Sequence, residues 1–194
     1  HAQASGGKKV ARFVIGTSTA GWAENDVDYL CDGVDDQVEI NNAIAALPAT
    51  GGEIVILDGT YNITGRINVN KDNVSIRGNG NATILKRMWN SSSAEGVIGL
   101  ASVEGCRIEN LQIDGNNTTY TASSNYGIRL DSSSSGNIVT NNTCNNSYHG
   151  IFLDSSSNNN MVTGNTCNNN NHAIRLDSSN NNMITDNTCN NNNY

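Results

Sequence analysis

The 194-residue chain is poor in much of what ordinary domains are built from. It holds one proline, two tryptophans and two phenylalanines, and aromatic residues make up only 5% of it. Charged residues are 15%, with 11 Lys and Arg against 18 Asp and Glu, for a formal charge of −7. The basic residues are scattered, which excludes the dense cationic face that nucleic acid or an anionic membrane requires. No apolar run reaches the roughly 18 residues of a transmembrane helix, so no helix inserts into a membrane. Residues 1–9, from His1 to Lys9, lack the apolar core of a signal peptide and read as a leader or tag remnant. Five cysteines give an odd count without a Cys-x-x-Cys pair, so neither a disulfide framework nor a zinc site is expected.

What is abundant is Asn and Ser, in a sentence written three times. Tyr126-Gly-Ile-Arg-Leu-Asp131 returns as His149-Gly-Ile-Phe-Leu-Asp154 and as His172-Ala-Ile-Arg-Leu-Asp177. Each run leads through a Ser/Asn tract and an aliphatic pair to Asn-Thr-Cys at 142–144, 165–167 and 187–189. The Asp positions recur every 23 residues and the Cys positions after 23 and then 22. Self-similarity in this range marks a solenoid. Within each run Ile and Leu alternate with Arg or Phe and Asp, the period of a strand. The Ser/Asn tracts are poor helix formers, because their side chains compete for backbone hydrogen bonds. Short strands joined by polar turns and stacked about 4.8 Å apart make a parallel β-helix, with like side chains above like. Ile128/Ile151/Ile174, Leu130/Leu153/Leu176 and Val139/Val162/Ile184 are then interior stacks. Asn142/Asn165/Asn187 form an amide ladder of the kind seen in cross-β stacks. Cys144/Cys167/Cys189 fill an interior position as small apolar groups.

The pattern G-I-x-L-D-S-S-x-x-N-x-I-x-x-N-x-C resembles the right-handed β-helix repeats of the pectin-lyase-like superfamily, including NosD-type repeat proteins and phage tailspikes. The resemblance covers roughly residues 30–194 and implies an all-β, right-handed parallel β-helix with a short capping helix. Residues 10–50 are expected to hold a strand, a loop anchored by Trp22 and Tyr29, and that helix. Asp36 is the expected N-cap with Glu39 three residues on, Val38, Ile40, Ile44 and Leu47 the apolar stripe, and Pro48 the stop. Residues 51–194 supply about six coils, with Met88–Gly96 and Asn116–Asn125 as outward loops. No terminal helix or charged edge closes the last coil, which reads as a truncated fragment continued by further coils or capped by another subunit, as in a trimer.

Three outward columns are the candidate site: Tyr126/His149/His172 (continued by Tyr194), Arg129/Phe152/Arg175 and Asp131/Asp154/Asp177. Rings, guanidinium donors and carboxylates are what a polysaccharide groove uses, and stacked Asp would approach the separations of glycosidase carboxylates. The plainer reading makes each Asp a turn residue bonded to the following Ser amides. No cofactor motif is present; a Ca²⁺ ion between stacked carboxylates is the alternative left open. The resemblance argues against catalysis: His149 lies in Tyr-His-Gly rather than Gly-His-Gly, no Arg-x-Lys exists, and the one Asp-Asp, Asp35-Asp36, is in the cap. The expectation is a non-catalytic scaffold, extracellular, cell-surface or virion-associated, that faces polysaccharide. A lyase or hydrolase of acidic polysaccharide is the alternative, and a pure spacer the third reading.

Overall fold

The computed structural model describes residues 11–194; the leader at residues 1–9 and Val10 lie outside them. Strand β1 (Arg12–Thr17) pairs in parallel with β2 (Tyr29–Cys31) and β3 (Gly52–Ile56). The first coil is β3, β4 (Gly59–Ile63) and β5 (Ile67–Val69), and the second β6 (Val74–Arg87) and β7 (Glu95–Ala101). The third is β8 (Arg107–Asp114) and β9 (Asn125–Asp131). Then come β10 (Ile138–Thr140), β11 (Thr143–Asn145) and β12 (His149–Leu153), followed by β13 (Met161–Thr163), β14 (Thr166–Asn168) and β15 (His172–Leu176). A last turn holds β16 (Met183–Thr185) and β17 (Thr188–Asn190). The pairings are parallel, in a 12-stranded sheet and a 5-stranded sheet of β5, β7, β9, β12 and β15. This is a parallel β-helix.

Register follows the repeat. Ile151 pairs with Ile128 and Ile174, and Val162 with Val139 and Ile184. Ile128, Leu130, Val139, Cys144, Ile151, Leu153, Val162 and Cys167 are fully closed to solvent. The interior stack thins at the last turn, where Cys189 is exposed, against the expectation of an interior thiol, as are Leu176 and Ile184. In β6 the buried positions are Thr83, Leu85 and Arg87, with Ile84 half-buried between them.

The corners explain the composition. Each needs a residue at positive φ, which costs little for Gly and is tolerated by Asn and Asp. Asn141, Gly164 and Asp186 hold one such position in successive coils, and Asn146, Asn169 and Asn191 another. A third runs through Gly136, Asn159 and Asn181. The next residue is an Asn, or Ser147, that bonds along the axis and is buried in every coil but the last. Asn142 Nδ2 donates to Asn165 Oδ1 at 3.1 Å, and Asn165 Nδ2 to Asn187 Oδ1 at 3.0 Å. Each also reaches back to a main-chain carbonyl, Ile108 O and Val139 O. Two more columns do the same: Asn137/Asn160/Asn182, and Ser147/Asn170/Asn192 with Ser147 donating from its backbone.

Helix α1 (Gln37–Ala46) covers the first coil with Ile40, Ala43 and Ile44 buried. Val38 departs from the expected stripe and is 47% exposed. The capping box is absent: the Asp36 carboxylate accepts instead from Gly33 N (2.8 Å) and Asn62 N (2.7 Å). Asp36 therefore stitches the start of the helix to β4. Lys71 closes the other end by donating to Ala45 O and Leu47 O.

Candidate functional site

The three columns lie on the outer face of the 5-stranded sheet. Gly127, Gly150 and Ala173 turn inward beside the inward Ile128, Ile151 and Ile174. A Cβ on Gly127 would meet Gly150 O at 2.4 Å and Cys144 Cβ at 3.6 Å. This inward double step returns the residue two before Ile, and the one after it, to the same outer face. Tyr126 and Arg129 are therefore neighbours, although three residues apart in a strand.

The rings contact one another in a row, stacked at Tyr126/His149 and His172/Tyr194 and edge-on at His149/His172. Centroids lie 4.6 Å apart for Tyr126 and His149, 4.7 Å for His149 and His172, and 4.9 Å for His172 and Tyr194. Phe152 meets Tyr126 and His149 at 5.1 and 5.0 Å, and Tyr148 adds a side contact of 4.8 Å to His149. Tyr126, His149 and Phe152 are buried by this packing, while Tyr148 and His172 are half-buried and Tyr194 is open. Burial, with help from His172 and Arg175, pulls the His149 pKa down to about 4. His149 Nδ1 and Asp154 Oδ1 are buried without a partner.

The charged columns are locked together. Arg129 lies 3.0 Å from Asp131 and 2.8 Å from Asp154, and Arg66 lies 3.6 Å from Asp131. The Arg66 guanidinium occupies the space over Gly99, where any Cβ would collide with it. The expected bonds from Asp to Ser amides do not form; Ser134 closes its turn by donating N–H and Oγ–H to Asp131 O. Arginine neutralises the stacked carboxylates, so the repulsion that invited Ca²⁺ is absent. Only Arg175 and Asp177, 3.5 Å apart, stay substantially exposed.

Arg87 went unremarked in the sequence. Its side chain is fully buried, donates to Glu95 O (2.9 Å), Tyr126 O (2.7 Å) and Asn125 Oδ1 (3.4 Å), and lies 3.7 Å over the Trp89 ring. Period-two counting from Leu85 places it inside; its charge argued otherwise. Burial lowers its pKa to about 9. The two loops interlock beside it: Asn90 Oδ1 accepts from Ala122 N and Asn125 Nδ2, and Ser124 Oγ donates to Ser91 O. Loop 88–94 also borders the charged columns through Ala94 O, a partner of Arg129.

Residues 16–194 match the family model described as periplasmic copper-binding protein (NosD). The chain belongs to the NosD family. No curated protein is similar to this family member at the level of sequence. Among solved structures, ORF18 of Geobacillus virus E2 is 20% identical with a TM-score of 0.63, over 87% of this chain and 40% of its own. The chain thus spans well under half of that phage protein. A putative glycosyl hydrolase of Parabacteroides merdae is 15% identical with a TM-score of 0.53, over 78% of this chain and 89% of its own. These likenesses carry the β-helix fold.

The NosD description names copper, and the donor sets among the described residues do not fit it. Ligand atoms of Cys31, Asp36 and Glu39 lie within 4.8 Å of one another, but both Asp36 oxygens are committed to backbone amides and burial pushes the Cys31 thiol up. His149 Nε2 faces the Arg175 guanidinium at 3.4 Å, which repels a cation. Cys144 and Cys167 sit in a dry aliphatic interior. No helix among the described residues is long and apolar enough to cross a membrane.

Proposed function

We propose that this NosD-family chain is a non-catalytic β-helix module of an extracellular, cell-surface or virion-associated protein, and that its outer columns face polysaccharide. The observation that carries the reading is the row of rings, one per coil, running from Tyr126 through His149 and His172 to Tyr194 at 4.6–4.9 Å. A surface that repeats along an axis suits a ligand that repeats along an axis, as extended solenoid faces do. The accessible part is Tyr148, His172, Arg175 and Asp177. Catalysis is disfavoured because Asp131 and Asp154 are held by Arg129 rather than left free to meet a substrate. A general acid or nucleophile must reach the reacting atoms.

The test is a panel of neutral and acidic bacterial and plant polysaccharides, scored for retardation of the protein in affinity gels and for loss of polymer length. Retardation without shortening is expected. Shortening would replace the scaffold reading with a lyase or hydrolase, and an inert protein would leave a spacer.

A further inference from the structure

Beside the ring column, at the corner that precedes β12 and β15, lies an open groove of about 460 Å³. Its lining contains no charged residue. Five of its asparagines, Asn117, Asn169, Asn171, Asn191 and Asn193, make no side-chain hydrogen bond to the described chain. This sets them apart from the column amides next to them: Asn170, in the same groove, spends its Nδ2 on Cys144 O and Asn192 Oδ1. Unspent amides at an open corner offer paired donors and acceptors, two of them on the turn residues Asn169 and Asn191 at φ 57 and 55. One wall of the groove is Tyr148, braced at 4.8 Å by His149 and at 6.2 Å by His172. A braced ring beside free amides matches a molecule with an apolar face and a hydroxyl rim. With no cation in the lining, a carboxylate on that molecule would find no opposite charge there to favour it over a neutral group.

We propose that this corner is a second binding surface, for an uncharged, hydroxyl-rich chain such as a neutral oligosaccharide, which stacks on Tyr148 and bonds the free amides. The proposal rests on the polysaccharide-facing reading and narrows it to a neutral ligand at the corner beside the ring column, with Tyr148 shared between the two.

The experiment is calorimetric titration of the 194-residue chain with cellohexaose, maltohexaose and mannohexaose, and with hexagalacturonate as the acidic counterpart. At least one neutral hexasaccharide is expected to bind, at least tenfold more tightly than hexagalacturonate. Tyr148→Ala and the double variant Asn171→Ala/Asn193→Ala should each weaken it at least tenfold, and Tyr148→Phe should not. The asparagine pair keeps the test sound if Tyr148→Ala disturbs the ring row, because their backbone bonds to Ser147 O and Asn170 O survive the substitution and their side-chain amides make none. Tighter binding of hexagalacturonate would overturn the proposal. Binding that ignores the asparagine pair but falls with Arg175→Ala would overturn the groove and leave the broader reading standing. No binding by any probe would overturn both.

Discussion

The two halves of the β-helix hold their coils together by different means. From β9 onward every coil repeats, and three columns of amides bond the corners from one turn to the next. Before β9 the coils differ. β6 runs for 14 residues through register shifts near Arg77, Gly80 and Ile84, and the stitching is done by single residues such as Asp36 and Arg87. The repeated half distributes its polar burial over many equivalent bonds, whereas the irregular half concentrates it at a few buried charges. A lost residue should therefore be felt locally in the repeats, where each coil contacts only its neighbours, and across a wider area in the irregular half.

The largest effect that breaks this comparison is a charge inside the stack. Val162→Asp should cost more than about 4 kcal/mol and abolish soluble expression, because the carboxylate has no partner there. Thr163→Asp, one step along the strand, should fold, with a melting curve close to that of the parent. Equal tolerance of both would refute the register.

Acid should act next, on His149. Its pKa is near 4 folded against 6.5 unfolded, so unfolding takes up a proton between those values. The stabilisation is complete above about pH 6.5 and is lost as pH falls toward 4, by up to about 3 kcal/mol. His149→Phe should flatten that part of the pH profile of urea midpoints relative to the parent; an unchanged slope would show that the ring is not held neutral.

Asn165→Ala sharpens the comparison. It leaves Val139 O and Asn142 N without their side-chain partner, at about 2 kcal/mol, and hydrogen exchange should accelerate in the flanking coils alone. Arg87→Met should cost less, about 1–2 kcal/mol, because removing a buried charge recovers its desolvation. Its signature should be proteolysis in both loops, 88–94 and 115–124, since Arg87 ties β7 and β9 together. Cleavage confined to one loop would mean that the two are held independently.

Much of the repeated half was legible before any coordinates. Alternation of Ile128 and Leu130 with Arg129 and Asp131 is sufficient to assign inside and outside, because a slip of one residue would bury the charges. The amide column at Asn142 was visible because Thr and Cys frame it. The columns at Asn160 and Asn170 recur at the same intervals, yet they lie in runs such as Asn158-Asn159-Asn160, where only backbone dihedrals tell which amide turns inward. Asp36 misled through its local pattern: a carboxylate before a helix suggests a cap, and its partner at Asn62 lies 26 residues away. The register of the outer columns follows the repeat, but their neighbours from earlier coils were not visible. Arg66, which shares Asp131 with Arg129, belongs to no repeat.

The corners carry a consequence for how such a molecule acquires its length. Asn142 and Asn165 are bonded across 23 residues, and Asn165 and Asn187 across 22, with the same atoms at nearly the same distances. A coil is thus a unit of inheritance: an in-frame duplication or deletion of one turn presents each neighbour with the partner it already had. Small slips inside the Ser/Asn tract are absorbed by a turn. A change of length by a whole coil therefore leaves the three axial columns paired from turn to turn.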